Sequence, residues 1–323
     1  MKVIISFAGL ADRLETLGSR RPFPLMPLAG STILGHILDR VQDLRADAHI
    51  LLTNDNQQKL EAWLQQDLPA GQVQVVTVAQ HHSPLIALES CEPFLDDEPV
   101  IFVSGNFIVD VDYMGLSTSG ADVVCFLQED QEAIPAAKGL KNDAGQLTSA
   151  GVGMQDFWAG VLWIRRGKDL LSAFAHKDQS QMSDIQSLLS VLHQQGLQIT
   201  NQMADTCLET GSLSQLLLTN ARLMQLGYCS EDVIARSYAE EFTVLPPVFL
   251  HESAVVNNAV IGPFVNLEAD TVVNNCVLRN SLIGVGAEVS DIILDSSFIG
   301  DYARVIGQGH ALIAGDESNL KLD

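Results

Sequence analysis

The chain has 323 residues, 47% of them hydrophobic and 18% charged, which is apolar material enough for two cores and too little charge for a disordered polyampholyte. Lys and Arg number 18 against 40 Asp and Glu, a formal net charge of −22 that repels nucleic acid and excludes a broad nucleic-acid groove. In chain order, the apolar run Val3–Ala8 ending at Gly9 predicts a strand. Ser31-Thr32 ahead of Ile33, Leu34, Ile37, Leu38, Val41 and Leu44 predicts a capped helix. Strands are expected at Ile50–Thr53, Val73–Val78, Val100–Val103, Val123–Leu127, Gly160–Ile164 and Leu197–Thr200. Helices are expected around Leu60–Leu64, Leu85–Cys91, Leu170–Ala175, Ile185–His193 and Leu213–Leu226. Strands alternating with helices imply an α/β domain built on a mostly parallel sheet covered on both faces.

From about residue 250 the period changes. Val255, Ile261, Leu267 and Val273 step by six, as do Val277, Ile283 and Val289, and then Ile293, Ile299 and Val305. Glycines follow several aliphatic positions, as in Ile261-Gly262, Ile283-Gly284 and Ile299-Gly300. This hexapeptide pattern predicts a parallel β-helix with aliphatic side chains inward and about 18 residues per coil. The expected organisation is a domain over 1–240 and a β-helix over 250–323, with Leu245-Pro246-Pro247 as the hinge.

The five cysteines, Cys91, Cys125, Cys207, Cys229 and Cys276, include no C-x-x-C pair, so neither zinc nor a redox pair is suggested; free thiols in a reducing cytosol are expected. The run at Met1–Gly9 is too short for a signal peptide. No stretch approaches the roughly 20 apolar residues of a membrane helix. A cytoplasmic protein with neither a membrane nor a nucleic-acid partner is expected.

Several segments together resemble the sugar-1-phosphate nucleotidylyltransferases, in the long glucose-1-phosphate thymidylyltransferase-like form with a C-terminal left-handed β-helix. They are Phe7–Leu14, Arg21–Gly30, Ile33–Leu38, Val103–Asn106, Ala159–Val161, Leu208–Gly211, Ile261–Val265 and Ala314–Ser318. The resemblance implies a Rossmann-like nucleotidyltransferase domain followed by that short helix. It also implies the family reaction, in which a sugar 1-phosphate oxygen attacks the α-phosphorus of a nucleoside triphosphate and pyrophosphate leaves. It assigns Arg13 to phosphate contact. Gly9, Leu10, Arg20, Arg21, Gly105 and Gly160 would line the substrate site, and Asn106 and Glu209 would stand at the two Mg²⁺-ligand positions.

The chain departs from the family at most of these places. The G-x-G-T-R loop reads Gly9-Leu10-Ala11-Asp12-Arg13, and the lysine of R-P-K-P is Phe23. Ala11 restricts positive φ, and Asp12 sets an anion beside incoming phosphates. The metal-binding aspartate after the fourth strand is Asn106, and the later D-x-G is Glu209-Thr210-Gly211. The E-K-P segment is absent near Gly151–Met154, and the base-binding G-T-A reads His82-Ser83-Pro84-Leu85. Each lost charge on a transferring phosphoryl group costs roughly 10²–10³ in rate. A degenerate protein with a binding or regulatory role is therefore expected, bound to a nucleoside triphosphate, a sugar phosphate or an active paralogue. Mg²⁺ is expected only if turnover survives.

Alternatives stand beside this one. An active enzyme would use Lys138 or Lys141 as a substitute cation; a purely structural protein would form homo-oligomers through its β-helix. Residues 1–45 carry six Lys and Arg against four Asp and Glu, so Arg13, Arg20 and Arg21 either bind an anion or pair with nearby acids. Phe23 is a packing residue or a base-stacking platform. Asn106 is a reduced ligand or a turn residue, and Glu209 a ligand or a helix N-terminal acid. His81-His82 reads as solvated, and His251 and His310 flank the β-helix. Trp163 reads as core, whereas Trp158 is expected to crowd the sugar pocket.

Overall fold

Val3, Ile4 and Ile5 are all fully buried, the pattern of a strand covered on both faces of a parallel sheet. The computed structural model describes residues 1–10, 21–44, 46–54, 57–67, 73–78, 85–113, 116, 120–129, 156–175, 185–239 and 242–308. It has two compact units, Met1–Arg222 and Leu223–Asp323. The first runs β1 (Lys2–Ser6), α1 (Ile33–Val41), β2 (Ala48–Thr53), α2 (Gln57–Asp67), β3 (Val73–Thr77), β4 (Val100–Ser104), β5 (Phe107–Asp110), β6 (Val123–Glu129), β7 (Asp156–Ile164), α3 (Lys168–Ala175), α4 (Ile185–Gln194), β8 (Ile199–Met203) and β9 (Thr206–Glu209). Then α5 (Leu213–Gln225) leads into the second unit.

Seven strands form one sheet in the order β8-β6-β7-β4-β1-β2-β3. All are parallel except β7, which runs antiparallel to both β4 and β6. Against α1, Thr32 accepts the Gly35 N–H at 3.0 Å, capping the first turn, and Ile33, Leu34, Ile37, Leu38 and Val41 are buried. The segment expected as a helix over Leu85–Cys91 instead makes 3-10 turns over Ile86–Phe94. Pro93 near its end has no N–H for a longer-range helical bond. An antiparallel pair that the apolar pattern did not signal, β5 with β9, follows the Gly105-Asn106 turn.

The second unit starts with α6 (Val233–Ala239) and continues as twelve short strands in three parallel four-stranded sheets, the three sides of a β-helix. Its inward columns are Val244–Ile261–Leu278–Leu294, Leu250–Leu267–Ile283–Ile299 and Val256–Val273–Val289–Val305. Three parts of the sequence reading need correction. Val255, Val277 and Ile293 point outward, and the inward residues are their neighbours Val256, Leu278 and Leu294. A coil takes 17 residues at first and 16 afterwards, not about 18, as stacked partners such as Asn257–Asn274 and Asn275–Asp291 show. Ile299 is only half-buried, because among the described residues no further coil covers it.

The shortening lies in particular steps: Val256–Ile261, Val273–Leu278 and Val289–Leu294 are five residues apart instead of six, and from the second coil so are Leu278–Ile283 and Leu294–Ile299. From residue 258 onward each corner holds a residue in the left-handed region: Asn258, Asn275 and Asp291 at one, Phe264, Asn280 and Ser296 at the next, Asp270, Gly286 and Tyr302 at the third. Such a residue turns the chain sharply, and Asn, Asp and Gly adopt it at least cost. Leu245-Pro246-Pro247 is not a hinge. It lies within the first coil, between Thr243–Val244 and Phe249–Leu250, both of which are paired in the β-helix. On that coil sits α6, with Val233 in the same apolar core and the Arg236 guanidinium donating to the carbonyls of His251 (2.8 Å) and Ala254. All five cysteines are free thiols. Among the described residues no helix is long and apolar enough to cross a membrane.

Candidate functional site

In an open parallel sheet the loops and helix N-termini converge at the carboxyl ends of the strands, so ligands bind there. After β1 the chain turns at Gly9, whose φ of 72° is left-handed, and the Leu10 N–H donates to the Phe7 carbonyl at 3.2 Å. Leu10 itself is buried. After β4 the Gly105 N–H donates to the Ser6 carbonyl at 2.8 Å. This brings Gly105 onto the Phe7 ring: a Cβ at 105 would lie 2.5 Å from it. The Phe23 ring meets Phe7 edge-on, with centroids 5.9 Å apart, and Phe23 is 3% exposed. Of its two sequence readings, packing is the one the geometry matches.

Asn106 and Glu209 come together through the β5–β9 ladder. Glu209 is the register partner of Phe107, and the Thr210 N–H donates to the Asn106 carbonyl at 2.9 Å. The Ser104 hydroxyl donates to Asn106 Oδ1 at 2.6 Å. Gln215, in the first turn of α5, donates through Nε2 to Glu209 Oε2, and the Thr219 hydroxyl donates to the Glu209 carbonyl at 2.5 Å. Burial, and then the Glu209 charge, pushes the neighbouring Cys207 thiol far up, so it is no nucleophile. Gly160, φ 83°, packs on Phe107, where a Cβ would come within 2.4 Å of the ring. Arg21 Nη1 donates to the Leu25 carbonyl at 3.3 Å. Trp158 does not crowd a pocket. It stacks on the core residue Phe102 at 6.2 Å and 9°, with its Nε1–H on the Val161 carbonyl at 3.1 Å.

Arg13, Arg20, Ala11, Asp12, His81, His82, Lys138, Lys141, Gly151–Met154 and His310 lie outside the described residues. Gln215 and Thr219, which hold Glu209, were not singled out by sequence. The one available signal was their place in the first turns of the helix that follows Glu209-Thr210-Gly211.

Mg²⁺ wants near-octahedral oxygen, one or two carboxylates and substrate phosphates. Here the pair offers a single carboxylate, one oxygen of which already accepts from Gln215, and an amide oxygen already engaged by Ser104. Among the described residues no three His, Cys, Asp or Glu gather into a metal site. The donor set does not fit the ion.

Solved structures share the arrangement of the first unit. The inositol-1-phosphate CTP transferase from T. maritima superposes with a TM-score of 0.55 at 14% identity, over 66% of this chain and 90% of that one. The nucleoside-diphosphate-sugar pyrophosphorylase from Vibrio cholerae RC9 superposes at 0.53 and 14% identity, over 66% of this chain and 97% of that one. The fold is that of the sugar-phosphate nucleotidyltransferases. At such identity the likeness is one of fold. By sequence the chain is similar to the bifunctional protein GlmU of Methanocaldococcus jannaschii, 40% identical over 52 residues, 16% of this chain. The matched stretch spans 13% of that protein's length. No family model matches the chain.

Proposed function

We propose that this chain is a nucleotidyltransferase-fold protein whose phosphoryl-transfer machinery has degenerated, leaving a cytoplasmic binding or regulatory protein. Its ligand would be a nucleoside triphosphate or sugar phosphate, and its partner an active paralogue. The observation that carries this reading is Phe23. At the place of a phosphate-binding lysine stands a ring that is buried against Phe7, with neither charge nor donor to offer. Nucleotidyl transfer depends on positioning and on charge placed where the transition state develops it. A buried phenyl ring supplies none, and the Asn106–Glu209 pair is unsuited to Mg²⁺, so no metal step is part of this reading. Arg13, Arg20 and Arg21 would contribute anion binding without turnover.

The test is pyrophosphate release by the full chain with Mg²⁺, across the common nucleoside triphosphates and sugar 1-phosphates. Turnover should be lower than an intact enzyme's by at least about 10³-fold. A rise in melting temperature with nucleotide, absent turnover, supports the binding role. Robust turnover overturns the reading and directs attention to Lys138 or Lys141 as the replacement cation.

A further inference from the structure

The three outer faces of the β-helix differ. Side chains alternate along a strand, so the neighbours of each inward residue point out. On the face over Leu250, Leu267, Ile283 and Ile299, the outward Asn266 and Leu282 are fully buried, so that face is covered. On the face over Val256, Val273, Val289 and Val305, Val255 and Ile306 stand exposed at opposite ends, and the polar groups between them pair along the columns. Asn257 donates to Asn274 at 2.9 Å, and Arg304 meets Glu288 at 3.1 Å. The third face is different. Over Val244, Ile261, Leu278 and Leu294 it presents Thr243, Val260, Val277 and Ile293 in one column, with Leu245, Arg279 and Asp295 on the other side of the inward residues. Ile293 is 75% exposed and Leu245 44%. Val260 and Val277 are half-buried, and an aliphatic row that ends in an exposed Ile and is rimmed by charge is the composition of an association surface.

We propose that this face joins two copies of the chain about a two-fold axis. The argument is the charge pattern. Arg279 and Asp295 are register partners on successive coils, and neither is in an ion pair among the described residues. A two-fold axis in the plane of the face, along the strand direction and between these two coils, reverses the coil order and leaves each column facing itself. Arg279 then meets Asp295 of the partner subunit, and Asp295 meets the partner's Arg279. Val277 likewise opposes Ile293 of the partner subunit, and the reciprocal contact closes the set. One patch thus complements itself, as an isologous dimer requires. A basic partner for a chain of net charge −22 would be drawn to its acidic surfaces, whereas this face balances one Arg with one Asp.

Sedimentation of the full chain tests the assignment. The chain should be dimeric at micromolar concentration. Ile293→Lys, at an exposed position, should raise the dissociation constant at least about 100-fold with circular dichroism unchanged. Arg279→Asp should weaken the dimer about tenfold or more, and adding Asp295→Arg should restore it, because the swapped pair is again complementary. A monomeric parent, or a dimer indifferent to Ile293→Lys, overturns the surface. A double variant no stronger than Arg279→Asp alone overturns the two-fold register.

Discussion

At position 23 one side chain ties three loops together by packing. Phe23 lies on Phe7, and Phe7 lies under Gly105, so the loops after β1 and β4 and the segment at 23 share one apolar contact. Such a contact stabilises the strand ends by burying rings. His36 is a second residue whose setting has a measurable consequence. It is fully buried on α1, with Nε2 on the Leu28 carbonyl at 2.8 Å. Burial holds its pKa below the ordinary imidazole value, outweighing the carbonyl, which raises it. The unfolded chain then binds a proton near pH ~6.5 that the folded chain refuses, so stability is full above that pH and falls as the pH drops toward the folded pKa. Denaturant melts at pH 7 and pH 5 should show this loss, and His36→Gln, which keeps a donor for Leu28, should reduce it. An equal loss in both proteins would clear His36 of the effect.

At the scale of elements, the coil corners hold the β-helix in register. Asn258, Asn275 and Asp291 stack at one corner, all left-handed, with the Asn275 Nδ2 donating to Asp291 Oδ1 at 2.9 Å. Asparagine suits the position twice, by tolerating φ near 59° and by passing a hydrogen bond to the next coil. Asn275→Gly removes only the second contribution. Asn275→Ala removes both, and should cost about 1 kcal/mol more in chemical denaturation. If alanine and glycine proved equivalent there, backbone conformation at the corner would not be what limits stability.

Over the whole molecule, charge is distributed unevenly. At the amino edge of the sheet Lys2 pairs with Asp96 and Lys168 with Asp97, and Arg166 meets Asp169 at 3.0 Å. These exposed pairs contribute little each. Each joins one cation to one anion, so the whole net charge of −22 remains. Self-repulsion of that size opposes the compact state, and salt screens it, with a Debye length falling from about 10 Å at 0.1 M to about 3 Å at 1 M. The melting temperature should therefore rise with sodium chloride across that range. A fall would mean that the ion pairs outweigh the repulsion.

The sequence by itself determined the α/β order of the first unit, the cap of α1 and the existence of a β-helix. Each of these is written in local residue type and period. It misplaced Val255, Val277 and Ile293, because a strict six-step series lands on them, whereas the inward neighbours Val256, Leu278 and Leu294 stand only five residues before Ile261, Ile283 and Ile299. Only the corner geometry selects which of them points inward. It missed the β5–β9 ladder, since four-residue strands far apart in the chain leave no periodic mark. That Phe23 packs on Phe7, that Trp158 turns to Phe102, and that Gln215 occupies Glu209 were decided by tertiary structure alone. The two ring contacts join residues whose separation in the chain carries no signal, and the Gln215 contact depends on how the turn after Glu209 sets the first turn of α5.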